Sequence, residues 1–421
     1  MCLFFQVETP VHVGAHPYGI ATADFNGDGV TDVAVAVYGT SRVDVMTSNG
    51  SGGFSAQTNY YVPGSPNELA AGDFNGDGNA DLAAVSTTTG RVSILTNDGS
   101  GGFTQQWFAV GGGPDAIVAG DFNGDGKTDL AVANSTTNRV TIVQNDGNNT
   151  YSKYQVRVGA APDAITAAAL TPGGPLDLVV ANGGSNSISV IRNNGTVETY
   201  TVGVNPTAIA TADMNNDGSQ DVIVANHGDN SLSVLMNNGA GGLLTAQNIA
   251  LSGSPSALAV ADLSGNGLPD LIVGIGQNSI SVFTNGGNGN FTSAQQTYAL
   301  PGTPVSITTA DVNADGKLDI LATLSDGSVA VLVNRSLGLA EVGTIEGAGS
   351  ISAADTSAAV QSALAGSTTS PDLTAIGGVT LTSAVPSLGS ASDLGAGSAS
   401  ALVETPGTDL PVLPSSHHLT S

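Results

Sequence analysis

The chain has 421 residues, 40% of them hydrophobic, and 57 glycines, so it can bury a core and leans towards strands and turns. Nine Lys plus Arg against 35 Asp plus Glu give a formal charge of −26, which leaves no electrostatic footprint for nucleic acid or an anionic membrane surface. The single cysteine, Cys2, excludes an intramolecular disulfide and a Cys-based zinc cluster, and no apolar run is long enough to predict membrane insertion.

The opening "MCLFFQVETP" has an apolar patch but neither a basic n-region nor an h-region of adequate length, so it does not read as a signal peptide. Either the chain is intracellular or it is a piece of a longer exported protein. The next stretch, "FFQVETPVHVGAHP", has the look of an outer strand and its exit turn, without the strands that should precede it. Then comes "DFNGDGVTD", from Asp24 to Asp32, the first of seven copies. They begin at Asp24, Asp73, Asp121, Ala169, Asp213, Asp262 and Asp311, with spacings of 49, 48, 48, 44, 49 and 49 residues. A fixed period in this range signals a repeat architecture.

Every unit has the same parts. A small-residue strand such as "YGIATADF" leads into the aspartate loop, and a β-branched run such as "DVAVAV" or "DVIVAN" follows. A third strand ("RVSILTND", "SLSVLMNN"), a Gly-rich turn and a more polar fourth strand complete the unit. Four strands in about 48 residues predict the blade of a propeller, with the Ala- and Gly-rich first strand innermost. The expected fold is therefore all-β, a seven-bladed propeller of four-stranded antiparallel blades within residues 1–341. Blade seven has only three strands of its own, ending at "VAVLVNRS", and residues near Phe4 to Val13 are expected to supply its fourth. The rival for that place is "LAEVGTIEG", just downstream. From Val342 to Ser421 the texture turns to Ser, Thr, Ala and Gly, which predicts a disordered tail or linker.

In the aspartate loop, oxygen-bearing side chains fall at positions 1, 3, 5 and 9, with Gly at 6. A hard cation such as calcium takes about six to eight oxygens, and a tight loop can supply them from alternating side chains plus one backbone carbonyl. The copies bear this out by what they keep and what they let drift. Position 7 is Val30, Asn79, Lys127, Ser219, Leu268 and Lys317, with no shared chemistry, as expected if only its carbonyl is used. Position 2 is always apolar (Phe25, Phe74, Phe122, Met214, Leu263, Val312) and is expected to point into the blade. Turns capped by Asp and Asn would not need this alternation. Three ionised carboxylates in one loop repel one another, and a dication removes that cost. The loop is not an EF-hand, because position 12 is Val35, Ala84, Val132 or Ala322 where a bidentate Glu is required, and a strand follows.

These loops, the "VANxxxNxVxV" stretch and the "NDGxGxF" turn resemble the FG-GAP/VCBS repeats, relatives of the integrin α-chain propeller. The resemblance covers almost everything up to Arg335 and implies a calcium-stabilised, usually extracellular propeller whose metal loops join the first and second strands of each blade. Carried over residue by residue, five loops are complete: Asp24, Asn26, Asp28 and Asp32; Asp73, Asn75, Asp77 and Asp81; Asp121, Asn123, Asp125 and Asp129; Asp213, Asn215, Asp217 and Asp221; and Asp311, Asn313, Asp315 and Asp319. Blade six offers Asp262, Ser264, Asn266 and Asp270, two carboxylates in place of three, and is expected to bind weakly. Blade four keeps only Asp177, with Ala169, Thr171 and Gly173 elsewhere, and is expected to stay empty, held by its Pro-Gly turn alone. Five divalent ions would bring −26 to about −16, so much of the acidity is ligand inventory.

The ions are expected to be structural, since no nucleophile or general base recurs beside them and the sequence carries no catalytic motif. The loops joining strands 4 to 1 and 2 to 3 share the opposite end of the ring, where integrin-like relatives meet ligands. That end is expected to carry Tyr18, Glu68, Asp115, Arg139, Asp163, His227 and Asp229, as the seat of a protein or glycan ligand. The expected function is binding, adhesion or scaffolding by a monomeric module at the cell surface or outside the cell. A lectin would want aromatic platforms, and the chain has one Trp, Trp107, on an expected fourth strand. A polysaccharide-acting enzyme is the remaining reading, weakened by the scarcity of Arg, Lys and His.

Overall fold

A computed structural model describes residues 3–287, 291 and 295–336. Residues 342–421, read from sequence as a disordered tail, and the rival strand "LAEVGTIEG" lie outside the described residues. Seven antiparallel sheets follow one another along Phe5–Arg335, and no α-helix occurs among the described residues. Blade one is built from Pro17–Ala23, Asp32–Val37, Arg42–Ser48 and Phe54–Tyr61, hydrogen-bonded in that order. Blades two to six repeat this meander; blade three, for example, runs Pro114–Gly120, Asp129–Asn134, Arg139–Gly147 and Thr150–Arg157. Leu3, Phe4 and Ser336 belong to a separate unit, in which the Phe4 N–H donates to Ser336 Oγ at 2.8 Å.

Blade seven contributes Pro304–Ala310, Asp319–Leu324 and Ser328–Asn334, and its outer strand comes from the N-terminal segment, as the sequence predicts. Phe5 lies opposite Asn334, Val7 opposite Leu332 and His12 opposite Ser328. First strands pack against first strands around the whole ring, including the last blade against the first. The Ala and Gly of these strands suit that crowding, because adjacent backbones meet at the axis with little side-chain volume between them.

The second strands are buried along their entire length. Period-two alternation explains why they read as apolar runs, since both of their faces are covered by neighbouring blades. Val33, Val35 and Val37 pack with Val312, Leu321, Val329 and Val331 of blade seven. Ala34 and Ala36, between them in sequence, pack with Leu69, Leu82 and Leu95 of blade two. The core is therefore a ring of wedges between blades, and each wedge depends on two repeats.

Candidate functional site

Each aspartate loop joins the first and second strands of its blade, so all seven lie at one end of the ring. The position-2 residue is buried in every blade, Leu170 of blade four included. That anchor fixes the loop, and positions 1, 3 and 5 then fall on its solvent side, except Ser264 of blade six, which is buried. In blade one, Asp24 Oδ1 accepts the Gly27 and Asp28 N–H groups at 2.7 and 3.2 Å, and its Oδ2 accepts Gly29 N–H at 2.8 Å. Asn26 Oδ1 accepts Asp28 N–H at 2.8 Å, and Asp28 Oδ1 accepts Val30 N–H at 2.8 Å. Gly27 and Gly29 both take positive φ, 76° and 84°, which lets these amides turn inwards. The bonds from the position-5 and position-6 N–H groups recur at Asp73, Asp121, Asp213, Asp262 and Asp311, and that from position 4 at Asp73 and Asp121.

Position 9 is different. Asp32 is fully buried, and its two oxygens accept N–H groups from Phe25 at 3.0 Å and Ser48 at 2.8 Å. Asp81, Asp129, Asp221, Asp270 and Asp319 repeat both bonds. Burial pushes these carboxyls up, and the charges of positions 1 and 5 push the same way, as from Asp28 and Asp24 onto Asp32. Asp319 reaches about 6. The exposed carboxylates of Asp77 and Asp217 and the half-buried Asp121 are held below their usual range by hydrogen bonds. Position 9 thus has a structural role, bracing loop to third strand, that its place in a ligand pattern did not reveal.

A second feature escaped the sequence reading. At or within two residues of the end of each third strand stands Asn97, Asn145, Asn193, Asn237, Asn285 or Asn334, with Ser48 in blade one. Asn97 Nδ2 donates to the Phe25 carbonyl of the preceding blade at 2.9 Å. Asn145 reaches Phe74, Asn193 reaches Phe122, Asn237 reaches Leu170, Asn285 reaches Met214 and Asn334 reaches Leu263. Ser48 Oγ closes the circle on Val312 O at 2.7 Å. Every loop is thereby latched to the next blade through its position-2 carbonyl. The signal was present as the Asn that opens the "NDG" and "NNG" turns of blades two to five.

Hard oxygen donors at positions 1, 3, 5 and 9 fit a divalent cation by chemistry. Among the described residues no three acidic, His or Cys side chains are already drawn together as a metal group. Holding an ion would require the carboxylates of positions 1 and 5 to turn from their present bonds. Lys127, at position 7 of blade three, reaches Asp125 Oδ2 at 2.9 Å. Blade four does not fit. There Arg192 Nη1 lies 3.0 Å from Asp177 Oδ2, so the loop is held by an ion pair as well as by the Pro-Gly turn to which the sequence reading gave the whole task.

The opposite end gathers all seven residues expected there. Tyr18, Glu68, Asp115 and Asp163 sit at the starts of first strands, Arg139 starts a third strand, and His227 and Asp229 occupy a 2–3 loop. Register shifts between Pro114 and Ala116 and between Pro162 and Ala164 set Asp115 and Asp163 outside the ladder. Thr87 Oγ1 donates to Asp115 Oδ1 at 3.1 Å, and His227 Nδ1 lies 3.0 Å from Pro255 O. The Tyr18 ring meets Tyr38 edge-on. Desolvation lifts Glu68 to about 7, and desolvation aided by the charge of Asp115 lifts Asp163 to about 6.

Cations are the other feature of this end. The third strands of blades one to three begin with Arg42, Arg91 and Arg139, and those of blades four to seven with Ser187, Ser231, Ser279 and Ser328. Arg42 is absorbed internally by buried Asp44 at 2.6 Å, and Arg91 lies 3.6 Å over the half-exposed Trp107 ring. Arg139 is paired directly across from Arg157, and neither has an ion pair among the described residues.

Fold and loops together define a seven-bladed repeat propeller carrying an oxygen-rich loop of one design in each blade but the fourth. The FG-GAP-like repeat model matches residues 24–84, 73–132, 121–172, 174–224, 213–273 and 265–322, and the chain belongs to that family. No curated protein matches its sequence. Among solved structures, BBS1N in complex with ARL6DN is similar in two crystals, with TM-scores of 0.60 and 0.61 and 14% and 13% identity, covering 80% of this chain and 100% and 98% of that one. A catalytically inactive virginiamycin B lyase from Staphylococcus aureus with quinupristin has a TM-score of 0.57 and 16% identity, covering 78% of this chain and 99% of that one. At these identities the likeness is one of fold.

Proposed function

We propose that this protein is a calcium-stabilised, extracellular or cell-surface propeller that acts as a binding or scaffold module and performs no catalysis. One observation carries the metal reading: oxygen donors persist at positions 1, 3, 5 and 9 through six blades while position 7 drifts. The buried Asp32, Asp81, Asp129, Asp221 and Asp270 have no cationic partner among the described residues, and a dication would relieve their repulsion with position 1 and, outside blade six, with position 5. The surface assignment follows from affinity, since sites of extracellular-module strength fill only where calcium is abundant.

The test is thermal unfolding in excess calcium and in excess EGTA, with calorimetric stoichiometry on the same preparation. Five or six ions per chain and a higher Tm in calcium are expected. An unchanged Tm with no bound calcium would leave the aspartates as turn residues and remove the main support for the surface assignment.

A protein partner is the favoured ligand, bound at the end opposite the loops. The fold neighbour BBS1N binds ARL6DN, which supports protein recognition by this architecture in general. Arg139 and Arg157, without an ion pair among the described residues and directly opposed in a chain of net charge −26, favour an acidic patch on that partner. A glycan is the second reading, supported by the Trp107 ring, 52% exposed on an outer strand.

A further inference from the structure

We infer that blade four carries its own cation: the Arg192 guanidinium does there what a divalent ion does in the other loops, so this blade is closed without metal. The inference rests on the calcium reading above. Its starting point is a paired change in the sequence. Blade four loses the oxygen donors of positions 1 and 5, which become Ala169 and Gly173. It also gains an arginine just before the latch asparagine, where the other blades have Thr47, Thr96, Gln144, Met236, Thr284 and Val333.

The hydrogen bonds show the exchange at Asp177. Its Oδ1 still accepts the third-strand N–H, from Asn193 at 3.0 Å, as position 9 does in every blade. Its Oδ2 elsewhere accepts the position-2 N–H. Here Leu170 N–H donates to Ala168 O at 3.0 Å, a bond that Leu263 also makes in blade six beside its bond to Asp270, and Arg192 Nη1 occupies the Asp177 oxygen at 3.0 Å. The rest of the guanidinium is fully used. Nε and Nη2 grip Glu198 at 3.1 and 2.8 Å, and Nη2 also donates to Gly241 O of blade five at 2.6 Å. Tyr200 Oη donates to Glu198 at 2.6 Å, which fixes the second carboxylate.

Charge follows the same rule in both designs. Three carboxylates with a dication leave one negative charge, and Asp177, Glu198 and Arg192 leave one as well. The Arg192 side chain is only 13% exposed, so the fork is shielded enough for its bidentate geometry to matter. With small side chains in the loop, a cavity of about 590 Å³ opens over the pair, bordered by Thr171, Pro175, Asn194 and Asn238. A second cation entering there would meet the guanidinium at close range.

Two sets of variants in the full chain test this, read by Tm and by calcium stoichiometry. Arg192→Met is expected to lower Tm by roughly 5 °C, by the same amount in calcium and in EGTA, with the ion count unchanged. A169D/T171N/G173D, which rebuilds the donors and keeps Arg192, is expected to bind no additional ion. Adding Arg192→Met to that triple variant is expected to yield one more ion than wild type and a Tm loss that calcium repairs. An additional ion with Arg192 still in place would overturn the inference, and so would an Arg192→Met chain that melts like wild type. If wild type itself bound no calcium, the metal reading would fall and the comparison with it, a result separate from either of these. Failure of Arg192→Met to fold would leave the triple variant to decide.

Discussion

The two ends of the ring are built on opposite principles. At the loop end, one design recurs blade after blade, and its polar groups are bound by neighbours fixed in the same register. At the other end the charged and aromatic residues change from blade to blade: Tyr18, Glu68, Asp115 and Asp163 stand at or next to the first residue of successive first strands, and arginine gives way to serine after blade three. Repetition marks what the ring needs to close, because every blade faces the same geometric demand. Singularity marks what a ligand could read. Blade four is the exception that sharpens this rule, since it departs from the design at the repeated end and keeps only the parts that brace the ring, Asp177 and Asn193.

The largest expected effect separates bracing from ligation inside a single loop. Asp129 accepts two buried N–H groups, from Phe122 at 3.1 Å and Asn145 at 2.7 Å. Asp129→Ala leaves both unsatisfied and should cost about 3–4 kcal/mol even in EGTA. Asp125, on the exposed side of the same loop, should be nearly silent in EGTA as Asp125→Ala, and should remove one calcium ion when calcium is present. Urea unfolding of both variants in the two buffers measures the contrast. Equal losses in EGTA would abolish the distinction between a brace and a ligand.

The next effect tests the latch. Asn145→Ala removes donors to Phe74 O at 2.8 Å and Thr128 O at 3.2 Å, strands a buried carbonyl, and should cost about 2–3 kcal/mol. Ser48→Ala breaks the corresponding bond to Val312 O between blades one and seven and should cost about 1–2 kcal/mol. Because these bonds join blades, both variants should also lose unfolding cooperativity, seen as a lower denaturant m-value. A cost without a change in m would make the latch a local cap only.

What could be read from the sequence divides along the same line. Period, strand count and the oxygen alternation were legible because seven copies allow a position to be compared with itself. The outer strand of blade seven was legible because Phe5–Val7 and Val11–His12 have the texture of a fourth strand without a blade of their own. The bracing role of position 9 was hidden, since a ligand and a brace both require Asp. Only blade four, where the donors go and Asp177 stays, holds a hint of it. Arg192 was invisible for a different reason: its partners Asp177, Glu198 and Gly241 lie 15, 6 and 49 residues away, and no other copy shares them. Likewise Arg139 and Arg157 meet only through strand pairing, which one residue of slip in register would have undone.

The last effect belongs to the singular end, and it is a dependence on pH. Glu68 starts the first strand of blade two, tucked against Gly19, where an added Cβ would come within 2.5 Å of its Oε1. Burial raises its carboxyl from 4.5 to about 7. The folded chain therefore holds this proton more tightly than the unfolded chain. Across roughly pH 4.5 to 7 the unfolded state sheds it first, so this group makes stability fall as pH rises and level off above the folded value. Glu68→Gln removes that penalty without changing shape. The variant should match wild type near pH 4 and exceed it by about 2 kcal/mol at pH 8, by urea unfolding at fixed calcium. A carboxylate kept at such a cost in a site that braces nothing beyond its own Leu69 N–H contact is one the ring itself does not require. If Glu68→Gln were instead destabilising at pH 8, Glu68 would belong with the braces, and the contrast between the two ends would weaken at that position.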